Sequence, residues 1–377
     1  MLEYLLMAIF LGLDAFILTR SIKDQKKKRV PKKYPFVSFI MPTFNDSHMI
    51  RKTLKSISDS YKGKSDITII NDCSTDNTKE VLKKLSKEYK FKLINNEKNL
   101  GKVASVNKAA KLAKGEILFV VDTDVILNKE SVDDILARLE SKKVAAAACH
   151  YKPIEPSLLS KMQEMEYSLQ TVLNNNVKIA MIGGCFAIKK DIFKKVGYLS
   201  KENITEDLDL GLKIQKEGFE IEQSMHRVGT YTPQSIKTLV KQELRWSSGT
   251  PQATYKHMGF ISKRPFSKML LVAFLVLAGL LYASIAPLDP KCIFGVCSLP
   301  GITPLLIMLP LIFIPYAIFS DNLKVNIKKP HFILAIILFA YIYFPFMMVI
   351  SIAGIANGSF MYFKLKKGGT VGWQGED

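Results

Sequence analysis

Two carboxylates one residue apart, Asp122 and Asp124, are the clearest chemical feature of the sequence. They follow the apolar run Ile117–Val121, which is typical of a buried strand. Paired carboxylates at a strand end can bind a hard divalent cation such as Mg²⁺ or Mn²⁺, and the cation can stabilise a diphosphate as a leaving group. An Asp-x-Asp triplet alone also occurs in turns and helix caps. Its position directly after a strand favours the metal site.

A second polar segment, Asn71-Asp72-Cys73-Ser74-Thr75-Asp76, also follows a strand-like run and opens a predicted helix. An acidic side chain here can accept hydrogen bonds from a nucleobase or a ribose, and the helix amino end offers N–H groups. Ser74 or Thr75 could equally cap the helix, and the two roles are compatible. Further along, Asn99-Leu100-Gly101-Lys102 combines a flexible turn with an ammonium group suited to a phosphate.

Thr205-Glu206-Asp207 supplies further carboxylates, after a tight turn predicted at Gly183-Gly184. A carboxylate brought to a sugar site can deprotonate an acceptor hydroxyl while that hydroxyl attacks an anomeric carbon. Thr205 followed by acidic residues also fits the capping pattern of a helix over 208–216. Both roles can hold together.

Gln242, Arg245 and Trp246 stand in the order Gln-Glu-Leu-Arg-Trp within a predicted helix. An indole offers a stacking face to a sugar ring, and a guanidinium can pair with a diphosphate. Trp246 could instead anchor the chain at a membrane interface.

Strand-like and helix-like runs alternate up to Asp124, which predicts an α/β domain with a parallel sheet. The predicted strands are 36–41, 66–70, 91–94 and 117–121, and the predicted helices between them are 50–60, 75–89 and 103–113. Ligands of such sheets bind beyond the carboxyl ends of the strands. Polar residues stand at three of those ends: Thr43 and Asn45, Asn71 and Asp72, Asp122 and Asp124.

After Asp124 the alternation weakens, and two longer helices are predicted over 158–173 and 235–247. Each has both an apolar and a charged face. Each could therefore lie on a membrane surface or pack against the sheet, and the sequence leaves both arrangements open.

The chain has 377 residues, of which 48% are hydrophobic, and the apolar residues are concentrated at its two ends. Residues 1–18 carry only two charges, and the segments 269–286, 302–319 and 332–355 carry none. Each is long enough to cross a hydrocarbon layer of about 30 Å. The first segment lacks the basic leading region of a signal peptide, so a retained anchor is predicted. The basic run after it places the following domain on the cytoplasmic side.

The net charge of +19 would also suit a nucleic-acid partner. The basic residues are, however, spread through the central domain and beside the apolar segments, where they suit anionic lipid head groups. We therefore expect a lipid bilayer and no nucleic acid as a partner. Cys292 and Cys297 lie in a loop predicted outside the cell, where their spacing allows a disulfide.

Five segments in this order closely resemble the family 2 processive glycosyltransferases, which include the synthases of cellulose, chitin, hyaluronan and poly-N-acetylglucosamine. They are Val37 to Asp46, Asn71 to Asp76, Asp122 to Asp124, Thr205 to Asp207, and Gln242 to Trp246. The resemblance covers residues 35 to 260 and the general layout of the apolar segments. This sequence departs from the family pattern at Asn71, where an Asp is usual, at Asp46, where a Glu is common, and at Glu243, where some members carry Arg.

The resemblance implies a GT-A (Rossmann-like) cytoplasmic domain, a UDP-sugar donor, Mg²⁺ or Mn²⁺, and inversion at the anomeric carbon to give a β-linkage. By position, Asp207 is the expected general base with Glu206 beside it, and Asp124 is the principal metal ligand with Asp122. The residues expected to hold the donor nucleotide and diphosphate are Thr43, Asn45, Asp72, Lys102, Asp122 and Arg245. Gln242 and Trp246 are expected to bind the acceptor.

The predicted organisation has five parts: an N-terminal transmembrane helix (1–19), a basic cytoplasmic linker (20–34), the GT-A domain with interfacial helices (35–262), a transmembrane region of about three segments (263–360) and a tail (361–377). One span before and three after would place the carboxyl terminus outside, whereas the lysines 364, 366 and 367 favour the inside. If the tail lies inside, one apolar segment is re-entrant or interfacial. The sequence does not decide on which side of the membrane the tail lies.

Two functions fit these features. A processive synthase would extend a polysaccharide and pass it across the membrane, and the Gln-x-x-Arg-Trp motif favours it. A single-transfer enzyme would add one sugar to a lipid acceptor, and the small number of spans keeps this alternative open. A non-catalytic relative would be expected to have lost the carboxylates at 122, 124 and 207, and all three are present. The sequence does not select the sugar, although the resemblance favours glucose or N-acetylglucosamine.

Overall fold

The computed structural model describes residues 26–177, 183–263 and 338–366, together with residues 19, 23 and 24. Most of the predicted N-terminal span lies outside these residues. The predicted apolar segments 269–286 and 302–319, Cys292, Cys297 and residues 367–377 of the predicted tail also lie outside them.

The first part of the domain alternates strands and helices, as predicted. The elements in chain order are β1 (Val37–Thr43), α1 (Ile50–Ser60), β2 (Ser65–Asn71), α2 (Thr78–Leu85), β3 (Lys92–Asn95), α3 (Lys102–Leu112) and β4 (Ile117–Val121). Every residue of β1 and β4 is buried, which explains their nearly continuous apolar sequences. Helix α2 is shorter than the predicted 75–89, because the residues before Thr78 form a loop.

The second part is less regular. Its elements are β5 (Val125–Ile126), α4 (Lys129–Leu139), β6 (Val144–Pro153), α5 (Leu158–Val177), β7 (Cys185–Lys189), α6 (Lys190–Lys195), α7 (Glu206–Lys216), β8 (Glu220–Thr230), α8 (Ile236–Lys256) and α9 (Met258–Ile261). A π-helical turn, Phe339–Tyr343, leads directly into α10 (Phe344–Lys366). Helix α10 extends beyond the predicted apolar segment 332–355 and into the predicted tail.

The described strands form one sheet in the order β3-β2-β1-β4-β7-β6-β8-β5. Strands β3, β2, β1 and β4 are parallel, and Thr43 pairs with Asn71, so the polar ends of β1 and β2 lie level. The parallel pairing predicted for the strands before Asp124 is confirmed, whereas the rest of the sheet is mixed: β7 is antiparallel to β4, with Val121 paired to Cys185, and β6 is parallel to β8. Strand β7 enters at the carboxyl end of β4 and must therefore run back along it.

The sheet has a hydrophobic cluster on each face. Phe39 of β1 and Phe119 of β4 belong to one cluster, whereas their neighbours Ile40 and Val120 belong to the other. This alternation follows from the period of two along a strand. Burial on both faces fixes the register of the strands and hence the position of the residues that follow them.

Helices α5, α8 and α10 share a third hydrophobic cluster, which includes Met165, Leu239 and Met347. The sequence left open whether the predicted helices 158–173 and 235–247 pack against the domain or lie on a membrane. In the structure the corresponding helices, α5 and α8, pack against the sheet and against α10. Among the described residues, one helix is long and apolar enough to cross a membrane, Phe344–Lys364 within α10.

Candidate active site

A group of charged side chains, which we call the carboxylate centre, gathers at the carboxyl end of β4. Asp122 and Asp124 follow β4, Lys102 begins α3, and Glu206 and Asp207 begin α7. Lys102 Nζ lies 2.6 Å from Asp122 Oδ2 and 3.6 Å from Glu206 Oε1. Residues that are distant in the sequence therefore meet here, because a strand end and two helix starts meet at one edge of the sheet.

The Gly183-Gly184 turn lies between the two sets of acids. Asp122 N donates to Gly184 O at 2.7 Å, and Gly183 N donates to Asp207 Oδ2. A Cβ atom on Gly183 would lie 2.7 Å from Asp207 Oδ2, and Gly184 has a φ of +86°. The turn therefore requires glycine at both positions, and its backbone fixes Asp122 relative to Asp207. Sequence reasoning identified the turn but missed this role.

The carboxylates shift one another's pKa values. Burial, with repulsion from Asp122, raises the pKa of Asp124 to about 7, and burial, with repulsion from Glu206, raises the pKa of Asp207 to about 6. Burial alone would lower the pKa of Lys102, but the carboxylates of Asp122 and Glu206 raise it, so the lysine stays charged. Among the described residues, the centre thus gathers four carboxylates around one ammonium group, Lys102 Nζ. This excess of negative charge suits cation binding.

The segment after β1 holds the segment after β2. Asn45 has a φ of +56°, and its Oδ1 accepts hydrogen bonds from Thr75 N at 2.8 Å and Asp76 N at 3.3 Å. Ser74 Oγ accepts from Asn45 N instead of capping a helix. The alternative role of Ser74 or Thr75 as a helix cap is wrong, because α2 begins only at Thr78.

Thr43 and Thr123 complete this edge. Thr43 Oγ1 is buried and finds no hydrogen-bond partner within the described part of the chain. Thr123 Oγ1 donates to Asp46 Oδ2 at 2.5 Å, which ties the Asp122–Asp124 segment to the loop after β1. Asp46, one of the departures from the family pattern, therefore helps to hold the Asp122–Asp124 segment in place.

Asp72 is buried, and its carboxylate is used within the chain. It accepts hydrogen bonds from Asn96 Nδ2 at 2.7 Å, Leu100 N at 3.0 Å and Gly101 N at 2.7 Å. These bonds fix the turn that ends at Lys102. Asp72 thus positions the lysine of the carboxylate centre, and its contact with a nucleotide stays a prediction.

We expect Asp72→Ala to destabilise the domain. The substitution leaves Leu100 N without its acceptor and removes one of two acceptors from Gly101 N and from Asn96 Nδ2, which keep Asn99 Oδ1 and Ser105 Oγ. The cost is about 1–3 kcal/mol for a group that stays unsatisfied. A thermal melt of the purified protein should show a clearly lowered Tm, whereas Asp59→Ala, on the exposed side of α1, should leave it unchanged. Equal melting of the two variants would contradict the role assigned to Asp72.

Helix α8 brings Gln242, Arg245 and Trp246 toward the start of α7. Trp246 is partly buried against the larger cluster of the sheet, Arg245 is exposed, and Gln242 Oε1 is buried without a hydrogen-bond partner among the described residues. One turn later, a Cβ atom on Gly249 would lie 2.5 Å from Thr205 Cγ2. The motif helix therefore touches the residue immediately before the two predicted catalytic acids.

Thr205 does not cap α7 through its side chain, contrary to the alternative prediction. Its Oγ1 is buried with no partner among the described residues, because Thr205 packs against Gly249. Asp207 Oδ1 instead accepts a hydrogen bond from Leu208 N at 2.8 Å.

Sequence reasoning also missed Tyr151. Its hydroxyl donates a hydrogen bond to Gly183 O, and no local sequence pattern marks this long-range contact.

The domain, with its mixed α/β sheet and the carboxylates after β4, has the GT-A type α/β glycosyltransferase fold. The family model of glycosyl transferase family 2 matches residues 38–197. This part of the chain is therefore similar to glycosyltransferase family 2 domains, in agreement with the resemblance predicted from the sequence.

Two curated relatives are similar over much of the chain. The poly-beta-1,6-N-acetyl-D-glucosamine synthase of Staphylococcus epidermidis is 29% identical over 222 residues, which cover 56% of this chain and 54% of the relative. The protein of the same name from Staphylococcus aureus (strain COL) is 28% identical over the same share of each chain. The matched part spans about half the length of these relatives.

A solved structure shares the fold. The mannosyltransferase PcManGT from Pyrobaculum calidifontis, in complex with GDP-Man and Mn²⁺, superposes with a TM-score of 0.60 at 15% identity, over 98% of this chain and 97% of that one. At this identity the likeness concerns the fold alone.

Proposed function

We propose that the chain is a membrane-integrated, metal-dependent inverting glycosyltransferase that transfers a sugar from a UDP-sugar to a growing β-linked polysaccharide. The observation that carries this proposal is the carboxylate centre, where the Gly183-Gly184 turn joins Asp122 to Asp207. Two kinds of carboxylate are needed for the reaction, one set for a cation and one for a base. The centre offers both at one sheet edge.

Asp124 and Asp122 fit a divalent cation. Asp122 Oδ1 is buried without a hydrogen-bond partner among the described residues, and burial, with repulsion from Asp122, raises the pKa of Asp124. When bound, Mg²⁺ or Mn²⁺ would neutralise the donor diphosphate and stabilise it as a leaving group. The described residues contain no group of three or more metal-binding side chains, so the proposed site relies on oxygens of the donor and water for its other ligands.

On the donor side, the proposed contacts are Lys102 and Arg245 to the diphosphate, and Thr43, Asn45 and Asp72 to the nucleotide. Lys102 lies within 2.6 Å of Asp122, which supports a place beside the diphosphate. Its ammonium group would stabilise the charge that develops there as the bond to the sugar breaks.

Asp207 is the proposed general base. Its carboxylate takes the proton of an acceptor hydroxyl while that oxygen bonds to the anomeric carbon, and the bond to UDP breaks with its electron pair leaving on the phosphate. Attack opposite to the leaving group inverts the anomeric centre and gives a β-linkage. A pKa of about 6 leaves Asp207 mostly deprotonated at neutral pH yet more basic than an ordinary aspartate. Glu206 stands beside it, and Gln242 and Trp246 are proposed to hold the acceptor.

The relatives' names support a polysaccharide product, since both are synthases of poly-beta-1,6-N-acetyl-D-glucosamine. UDP-N-acetylglucosamine is therefore the first donor to test. Transfer of a single sugar to a lipid is the competing outcome.

Helix α10 supports a place in the bilayer. Its side chains Val349, Ile352 and Phe360 are 67%, 56% and 69% exposed, whereas Met347 and Ile350 are buried against the neighbouring helices. An apolar face of this kind is unfavourable in water and suited to lipid. We propose a multi-pass protein of the cell membrane with residues 1–19 and 263–360 as its membrane regions, the catalytic domain in the cytoplasm, and translocation of the product.

The test is a product assay with the purified protein in lipid nanodiscs, Mn²⁺ and a panel of radiolabelled UDP-sugars. High-molecular-mass label from one donor, lost on addition of EDTA, would establish a polysaccharide synthase and its sugar. Label confined to an organic-soluble lipid of fixed mass would establish single transfer instead. No transfer from any UDP-sugar would contradict the proposed activity.

A further inference from the structure

Helix α10 contacts α8 through two glycines one helical turn apart. A Cβ atom on Gly354 would overlap Ser247 Oγ, and a Cβ atom on Gly358 would overlap the carbonyl oxygen of Ser248. At Gly358 the backbone of α10 therefore lies directly against the backbone of α8, and at Gly354 it lies against the Ser247 side chain. Small residues spaced by four allow this close approach between helices in membranes.

Hydrogen bonds fix the same pair of helices. Ser351 Oγ donates to Glu243 Oε1 at 2.7 Å, and Glu243 directly follows Gln242 in the motif of α8. In the π-helical turn just before α10, Tyr343 OH donates to Glu166 Oε2 of α5 at 2.6 Å. The rotation of α8 about its own axis, and so the direction of the motif side chains, is set partly by α10.

Helix α8 in turn is fixed to α7. Gly249 packs against Thr205, and Nε2 of His257, the residue directly after α8, lies 2.9 Å from Asp209 Oδ1. Lys256 Nζ also lies 3.1 Å from Asp209 Oδ1. Asp209 is fully buried in the first turns of α7, two residues after Asp207. A continuous set of contacts thus runs from α10 through α8 to the first turn of α7.

We propose that α10 is a positioning element of the active site, with Gly354, Gly358 and Ser351 as positioning residues that touch no substrate. Their contacts hold α8 so that its motif and the Asp207 carboxylate face the same point. This inference rests on the proposed glycosyltransferase function. A small displacement of α10, such as an added methyl group at the contact would cause, should then lower turnover. The reason is that an error of about 1 Å in the geometry of a reacting centre can reduce the rate about 10²-fold.

The test uses a clash and its relief. Gly354→Ala places a methyl group against the Ser247 side chain. Ser247→Gly removes both side-chain atoms of that contact, so the nearest remaining atom to the new methyl group is Leu244 O, at 3.3 Å. We expect Gly354→Ala to lower kcat by roughly tenfold or more with the KM for the UDP-sugar nearly unchanged. The double variant should return kcat to that of Ser247→Gly alone. Ala356→Val adds bulk at an exposed position of α10 and should leave kcat unchanged.

A second readout does not require turnover. The chain has two tryptophans, so Trp373→Phe leaves the emission of Trp246 as a report on α8. Gly354→Ala should shift this emission to the red, and Ser247→Gly should reverse the shift. Wild-type kcat and emission in Gly354→Ala, or no recovery of either in the double variant, would overturn the proposal. If the wild type transfers no sugar, the proposed function fails, whereas the emission series still decides whether α10 sets the position of α8.

Discussion

Replacement of Asp207 with Asn is expected to lower kcat by about 10²–10⁴-fold, the usual contribution of a general base, while donor binding survives. The amide can still accept a hydrogen bond from Gly183 N, so the local fold should be kept. It cannot take the proton of an acceptor hydroxyl. The measurement is initial rate against UDP-sugar concentration, together with the Kd of UDP by calorimetry.

The pH dependence gives an independent check on the same residue. The base must be deprotonated, and the pKa of Asp207 is raised by burial and by Glu206 to about 6. The rate of the wild type should therefore rise with pH through about 6 and level off above it. This limb should be absent from the residual activity of Asp207→Asn.

A matched control is available in α6. Asp191 also lies in the first turn of a helix, but it is exposed and remote from the carboxylate centre. Asp191→Asn should keep wild-type kcat and the same pH profile. Normal turnover in Asp207→Asn would show that the base is a different residue.

Asp124→Ala is expected to abolish transfer and to weaken binding of both Mn²⁺ and the donor. Loss of the principal ligand removes the cation, and without the cation the acids of the centre face the donor diphosphate directly. In the wild type, Mn²⁺ with UDP should raise the Tm, since a ligand that binds only the folded state stabilises it. That increase should be lost in Asp124→Ala and kept in Asp59→Ala, a change on the exposed side of α1.

The sign of the pH effect follows from the direction of the pKa shift. The pKa of Asp124 in the folded protein, about 7, is above its ordinary value of 3.8, so the metal-free domain loses stability as the pH rises from about 4 to about 7. A cation binds the deprotonated form and offsets this loss. The increase in Tm caused by Mn²⁺ should therefore be larger at pH 8 than at pH 5.5. An increase independent of pH would place the cation away from Asp124.

The sequence by itself determined the parallel half of the sheet and the residues at its edge. Helix α1 and strand β4 have the predicted bounds, because continuous apolar runs and helical spacing are local properties of the chain. The carboxyl ends of parallel strands share one edge of a sheet. The resemblance to the family assigned Lys102, Asp122 and Glu206 to one site, and the structure places their side chains close together.

Only the tertiary structure decided the direction of β7, the connection of Asp122 to Asp207 through Gly183-Gly184, and the packing of α8 between α7 and α10. Each depends on pairings between residues far apart in the chain: Val121 with Cys185, Thr205 with Gly249, Ser247 with Gly354. A glycine in a sequence shows where a side chain is missing, but not which neighbour requires its absence. That neighbour is selected by close packing of the whole domain, which is not encoded in any local pattern.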